Sequence, residues 1–224
     1  MVPPLALDID GTLTTPTGRI DPRAFELLPA WEAPIAFATG KAFPYPVALS
    51  HFLGRAETVI AENGGVVFVE ATDTLQLEGD VEACRTVAEA YREMGHELGF
   101  GDVDLANRWR ETEVVVDRSQ PLEPLEGLAS EAGLEVLDTG FAYHVTDPSV
   151  DKGTGLRTVC AELDYDPSDF LAVGDSVNDA EMFDVAGESV AVANAQDVAK
   201  SRADRVTDAR YADGFLEAVA PYRD

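Results

Sequence analysis

Leu5-Ala6-Leu7-Asp8-Ile9-Asp10-Gly11-Thr12 runs from three consecutive apolar residues straight into two acids separated by one residue. A short apolar run of this kind reads as the end of a buried strand in a parallel sheet. The two carboxylates that follow repel each other, and burying either one as a charge is expensive. A cation bound between them would relieve both problems. Gly11 lets the backbone turn and brings an amide close to an anion. In open α/β sheets, ligands bind beyond the carboxyl ends of the strands, and this octapeptide puts its acids there.

Three more stretches have the same placement. Thr39-Gly40-Lys41 follows the apolar run Ile35 to Ala38. Its hydroxyl and unhindered amide suit an anionic oxygen, although Thr-Gly after a strand is also an ordinary turn. Asp151-Lys152-Gly153 stands at a helix start, where Asp151 is a good N-cap. Lys152 is notable because the chain has only three lysines, Lys41, Lys152 and Lys200, against 13 arginines. Two of the three fall in these stretches, and a compact ammonium holds a phosphate well as a point charge. Gly174-Asp175-Ser176-Val177-Asn178-Asp179 follows Phe170 to Val173. Asp175 and Asp179 are four apart, so a helical turn would put them on one face. Hard oxygen ligands of this kind suit Mg²⁺ rather than zinc.

Apolar runs and helical patterns alternate on either side of these stretches. Pro22 to Ala30 reads as a helix capped by Asp21, Pro44 to Leu53 as a second, and Thr58 to Ala61 as a strand. Asn63-Gly64-Gly65 then predicts a hairpin into Val66 to Val69. The middle of the chain differs. A helix over Asp80 to Met94, a Gly-rich loop, and strands at Thr112 to Val116, Leu134 to Leu137 and Ala142 to Thr146 surround a helix at Pro121 to Ala132. After that the first pattern resumes, including a helix over Asp179 to Val185. The expected fold is α/β, a doubly wound, Rossmann-like parallel-sheet core with a small α+β cap domain inserted. The core would comprise residues 1–77 and 148–224, and the cap 78–147.

Bulk properties narrow the function. The chain has 224 residues, 46% hydrophobic, which is enough to bury a core. Its 16 basic and 42 acidic residues give a net charge of −26. Such a surface repels nucleic acid and anionic membranes, so neither is an expected partner. Dispersed acid with few lysines reads as adaptation to a high-salt cytoplasm, a halophilic trait. Cys84 and Cys160 lie far apart in helix-like segments and read as buried thiols in a reducing compartment. The sequence carries no signal-peptide pattern and no apolar run of membrane-spanning length, so a soluble cytoplasmic protein is expected.

Taken in order, the four stretches resemble the four motifs of the haloacid dehalogenase superfamily of phosphohydrolases. The long gap between the second and third falls where members with a type-two cap carry their insert. Within the superfamily, the length, the small cap and the Glu62-Asn63-Gly64-Gly65 turn are most similar to the archaeal-type phosphoglycolate phosphatases. Lys41 departs from the Arg or other polar residue of many relatives. The resemblance implies a Mg²⁺-dependent phosphomonoester hydrolase. Asp8 would be the nucleophile that becomes an aspartyl phosphate, and Asp10 the general acid and base. Thr39, Gly40 and Lys152 would hold the phosphate, and Asp8, Asp10, Asp175 and Asp179 the metal, with Asp179 bound directly or through water. The substrate would be a small phosphorylated metabolite, 2-phosphoglycolate foremost and a sugar phosphate as the alternative, and the protein a monomer or homodimer. A glycolate carboxylate would call for a cation from the cap. Arg108, Arg110 and His144 are candidates by residue type alone, against the ordinary reading of solvated arginines and an edge histidine. The non-enzyme alternative is a phospho-accepting signalling domain. It would lack the cap and would not carry Asp-x-Asp-Gly-Thr after its first strand.

Overall fold

The first half of the computed structural model, which describes residues 2–223, is built from short apolar strands separated by helices. β1 (Leu5–Leu7) leads through the acid-rich turn to one turn of helix, α1 (Ala24–Leu27). β2 (Ile35–Ala38), α2 (Pro44–Leu53) and β3 (Thr58–Ala61) follow, and then β4 (Val66–Val69) and β5 (Thr74–Leu77). The inserted unit comprises α3 (Val81–Glu93), β6 (Val114–Asp117), α4 (Leu122–Glu131), β7 (Glu135–Asp138) and β8 (Ala142–Thr146). The chain then returns to the core through α5 (Lys152–Leu163), β9 (Leu171–Gly174), α6 (Ala180–Val185) and β10 (Glu188–Ala191). It finishes with α7 (Asp197–Arg202), β11 (Arg205–Val206) and α8 (Tyr211–Val219).

Eight strands form the large sheet in the order β11-β10-β9-β1-β2-β3-β4-β5. Its first six are parallel, and β4 and β5 extend the β3 edge as antiparallel strands. Alternation along β1 explains the double winding. Leu5 and Leu7 face a core with Trp31, Phe37, Val173 and Phe215, whereas Ala6 faces another with Ile60, Leu156, Phe170 and Met182. Helices cover both faces, so the central strands are apolar throughout. Truncating a residue such as Leu7 to Ala would cost about 2–5 kcal/mol, because close-packed neighbours cannot refill the space.

The inserted unit has its own core. β6, β8 and β7 form a three-stranded antiparallel sheet, and α3 and α4 lie on it. Cys84, Val87, Ala88 and Tyr91 recur at helical spacing along α3 and meet Val114, Val116, Leu125 and Val145. Asp80 caps α3 by accepting a hydrogen bond from the Ala83 amide at 2.9 Å.

Three local expectations differ from the structure. The helix expected from Pro22 starts at Ala24 and tightens into a 3₁₀ turn at Leu28–Ala30. Asp21 instead ties down a preceding turn, accepting from the Arg23 amide and Nε. β5 is not among the expected strands: Thr74-Leu75-Gln76-Leu77 is only four residues long and turns its two leucines to the exposed side at the end of the sheet. Asp175 and Asp179 do not share a helical face. Residues 175 and 176 precede a 3₁₀ turn at Val177–Asp179, which folds Asp179 back under the loop.

Candidate active site

Strand register places the site. Leu7 pairs with Phe37 on one side and Val173 on the other, so the residues just after β1, β2 and β9 emerge side by side. Those residues are Asp8 to Gly11, Thr39 to Lys41 and Asp175 to Asp179. Asp8, Asp10, Thr39, Gly40, Lys41 and Asp175 line one cleft of about 460 Å³. Gly18, Arg110, Thr139, Phe141 and His144 also face it. A hollow of about 510 Å³ beside Trp31 and Tyr222 is larger, but the clustered acids Asp8, Asp175 and Asp179 are not among its lining residues, so chemistry rather than size identifies the site.

Carboxylate oxygens of Asp8, Asp175 and Asp179 lie within 4.8 Å of one another. Beneath them runs the fully buried Lys152, whose Nζ donates to Asp8 Oδ1 at 2.9 Å and Asp179 Oδ1 at 2.6 Å. Asp151 caps α5 through a reciprocal bond with Thr154 and so fixes the first turn that carries this lysine. The other oxygen of Asp179 accepts from the Asp175 and Ser176 amides, both at 2.9 Å. Asp179 thus belongs to the cluster, but both its oxygens already have protein partners. Asp8 Oδ2 is buried with no partner among the described residues, and so is the Thr12 hydroxyl.

The balance of charge is unfavourable without another cation. Burial raises the Asp8 carboxyl, Lys152 pulls it back, and Asp179 raises it again, to about 7. Burial, then Asp8 and Asp179, push Asp175 up to about 9. Burial alone would lower Lys152, but Asp179 and Asp8 outweigh it and keep the ammonium charged. Crowded acids, an orphaned carboxylate oxygen and hard oxygen donors together fit a divalent cation.

The sequence marks Gly11, Asn63 and Asn178 within their stretches but not what they hold, and it gives no distinct signal for Asn194 or Gln196. Gly11 has φ +81°, and a Cβ there would stand 1.9 Å from Asp175 Oδ2. Asn194 donates to the Gly11 carbonyl at 3.0 Å and to Asp175 Oδ2 at 3.2 Å, tying the two acid loops together. Gln196 accepts from the Val177 amide at 2.7 Å. From the β3–β4 turn, Asn63 accepts from Asn178 at 2.7 Å and donates to Glu113 at 2.9 Å. Of the three cap candidates, Arg110 and His144 are buried at the cleft, and Arg108 is exposed and does not line it. Asp10 is half exposed and pairs with Lys41 at 3.3 Å.

Comparison with known proteins agrees with this geometry. The sequence profile of haloacid dehalogenase-like hydrolases matches residues 5–106 and 123–219. A phosphoglycolate phosphatase of Haloarcula marismortui is 69% identical, over 99% of this chain and 98% of its own. One from Natronomonas pharaonis is 56% identical, over 100% and 99%. Among solved structures, Thermoplasma acidophilum 0175 superposes with a TM-score of 0.85 at 24% identity, over 99% of this chain and 98% of its own. A haloacid dehalogenase-like hydrolase from Bacteroides thetaiotaomicron does so with 0.79 at 20%, covering both chains fully. At these identities the two structures speak for the fold alone.

Proposed function

This chain belongs to the haloacid dehalogenase-like hydrolases, and on that premise we propose that it hydrolyses 2-phosphoglycolate to glycolate and phosphate with Mg²⁺ as cofactor. The observation that carries the reading is the meeting of Asp8, Asp175 and Asp179 over Lys152 at the end of β1. Relatives named phosphoglycolate phosphatase, aligned over nearly the whole chain, supply the substrate.

A carboxylate of Asp8 attacks phosphorus, forming a P–O bond to the side chain as the bond to the leaving alkoxide breaks. Asp10 gives its proton to that alkoxide. It then takes a proton from the water that attacks the aspartyl phosphate, which returns Asp8 and releases phosphate. Thr39, the Gly40 amide and Lys152 bind the non-bridging oxygens. Asp8, the Asp10 carbonyl and Asp175 would hold the metal, which when bound supplies positive charge to the phosphoryl oxygens. Asp179 anchors Lys152 and the 175–176 amides, and so keeps the loop in place.

A phosphate-release screen over phosphorylated metabolites, run at high salt with Mg²⁺, tests the reading. It should include 2-phosphoglycolate, hexose phosphates and p-nitrophenyl phosphate. The expected result is multiple turnover with 2-phosphoglycolate as the best substrate. Single-turnover phosphorylation without release would support a signalling domain, and a hexose phosphate in first place would move the substrate to the sugar esters.

A further inference from the structure

We propose that Arg110 and His144, both held on the buried Glu113, form a receptor for the carboxylate of the leaving group, with Glu113 as its positioning residue. The proposal rests on the phosphatase reading and names the part of the cleft that selects the substrate.

Glu113 is the hub. It begins the run Glu113-Val114-Val115-Val116, and its side chain is fully buried. Arg110 Nη1 donates to it, His144 Nδ1 lies 2.9 and 3.0 Å from its two oxygens, and Asn63 Nδ2 donates at 2.9 Å. Burial would raise this carboxyl, but His144 and Arg110 outweigh burial and leave it below its ordinary value, so Glu113 stays ionised. Nδ1 of His144 is the ring atom on this carboxylate and also lies 3.0 Å from Asn63 Nδ2, and Nε2 points away toward Thr139 at 3.3 Å. Arg110 is fixed a second time, through Nε to the Ala106 carbonyl at 2.9 Å. Among the described residues its Nη2 has no hydrogen-bond partner, and Arg110 lines the cleft.

Stability alone is a weak reason for this arrangement. A buried ion pair seldom outperforms well-packed apolar residues of the same volume. One acid anchors an arginine and an imidazole that both line the cleft holding Asp8, which is the geometry of binding groups locked by their neighbours. The charge sense is also right. A phosphorylated acid adds negative charge to a cleft already lined by Asp8, Asp10 and Asp175, and Arg110 is the cap cation that reaches it. The reach is short, because His144 Cε1 lies 3.4 Å from where a Cβ on Gly40 would stand. The imidazole therefore stands against the phosphate turn, and a carboxylate that reaches it belongs to a short leaving group.

The test compares 2-phosphoglycolate with ethyl phosphate, which has the same length and no carboxylate. For the wild-type protein kcat/KM should favour the acid by at least about tenfold, since a charge-assisted hydrogen bond is worth more than about 1.4 kcal/mol. Arg110→Gln should remove most of that preference and bring the ratio toward one, chiefly through KM, and Arg110→Lys should restore part of it. Glu113→Gln should lower the same ratio, and Glu113→Asp should recover it in part, a pattern that loss of packing alone would not give. A wild-type ratio near one, or a ratio in Arg110→Gln within threefold of wild type, overturns the proposal. If Arg110→Gln does not fold, the wild-type ratio and His144→Gln decide. Absence of turnover on both esters would instead overturn the phosphatase reading itself.

Discussion

Lys152 is the residue on which the acid cluster depends. Its ammonium is enclosed and bonded to Asp8 and Asp179, so removing it leaves two buried carboxylates without a counter-charge. Lys152→Met should abolish turnover and also destabilise the fold by about 3–5 kcal/mol. Thermal unfolding reads this directly, and a melting temperature close to wild type would show that the pair is not structurally coupled. Asp8→Asn should behave in the opposite way. It removes the proposed nucleophile, so kcat should fall by more than a thousandfold, yet it also removes one of three like charges, so stability in EDTA should hold or rise. A kcat within tenfold of wild type would refute the aspartyl-phosphate route. The same acids set a pH dependence. Asp8 is raised from its ordinary 3.8 to about 7 and Asp175 from 3.8 to about 9. A raised carboxyl holds its proton in the fold while the unfolded chain has already lost it. Its stabilising effect is therefore complete below pH 3.8 and lost as pH rises through the folded values. The melting temperature in EDTA should fall between pH 5 and pH 9, and Mg²⁺ should stabilise the protein more at pH 9 than at pH 5, because fewer protons then need displacing. Equal metal stabilisation at both pH values would mean that these carboxylates are not the ones that meet the ion.

At the scale of elements, the β3–β4 turn joins the two units. Glu62, Asn63 and Gly64 have φ of +51°, +57° and +113°, a left-handed run that only glycine adopts easily. Glu62 uses this geometry to accept from the Glu111 and Thr112 amides and from the Thr112 hydroxyl at 2.8 Å, clamping the loop before β6 to the core. Burial raises this carboxyl and nearby Glu113 raises it further, against the bonds from Thr112. At Gly64 a Cβ would stand 2.0 Å from the Asp151 carbonyl, at the start of the helix that carries Lys152. Gly64→Ala should therefore destabilise by more than about 1 kcal/mol and slow catalysis together, which paired unfolding and kinetic measurements would show. Unchanged kinetics would uncouple this turn from the site. The placement of the four stretches was legible in the sequence because each follows an apolar strand or opens a capped helix, and parallel register then aligns them. Asn63-Gly64-Gly65 likewise announced its hairpin. Glu62 stands out only as part of that turn and Glu113 not at all, since an acid beside a strand is usually solvent-facing, and only the seating of one unit on the other buries them. The Asp175–Asp179 spacing misled for a related reason. Four-residue spacing predicts a shared helical face, but the Asp175 and Ser176 amides capture Asp179 before the helix begins. β5 was hidden because it is only four residues long and its two leucines face outward, so no apolar face points to a core.

For the whole molecule, the dominant quantity is the −26 net charge on about 10309 Å² of surface. Salt acts on it in two opposed ways. It weakens exposed ion pairs such as Arg85–Glu82, Arg118–Asp138 and Arg202–Asp184. It also weakens the repulsion among the acids those arginines do not neutralise. Each exposed pair is worth about 0–1 kcal/mol, and 16 basic groups cannot balance 42 acidic ones, so relief of repulsion wins. The melting temperature should rise with KCl, with most of the gain below about 1 M, where the screening length has already shrunk to about 3 Å. The buried bonds of Lys152 to Asp8 and Asp179 are shielded from solvent and should survive that range intact. Catalysis should follow the same physics outside the cleft. An anionic ester must approach through a negative field, so screening should raise kcat/KM while kcat, set by groups inside the cleft, changes less. This reverses the usual loss of electrostatic steering on adding salt. Steady-state rates from 0.1 to 1 M KCl at saturating Mg²⁺ separate the two cases. A kcat/KM that falls steadily over this range would mean that local cations around the cleft, Lys41 and Arg110 first among them, already govern the approach and the global charge does not.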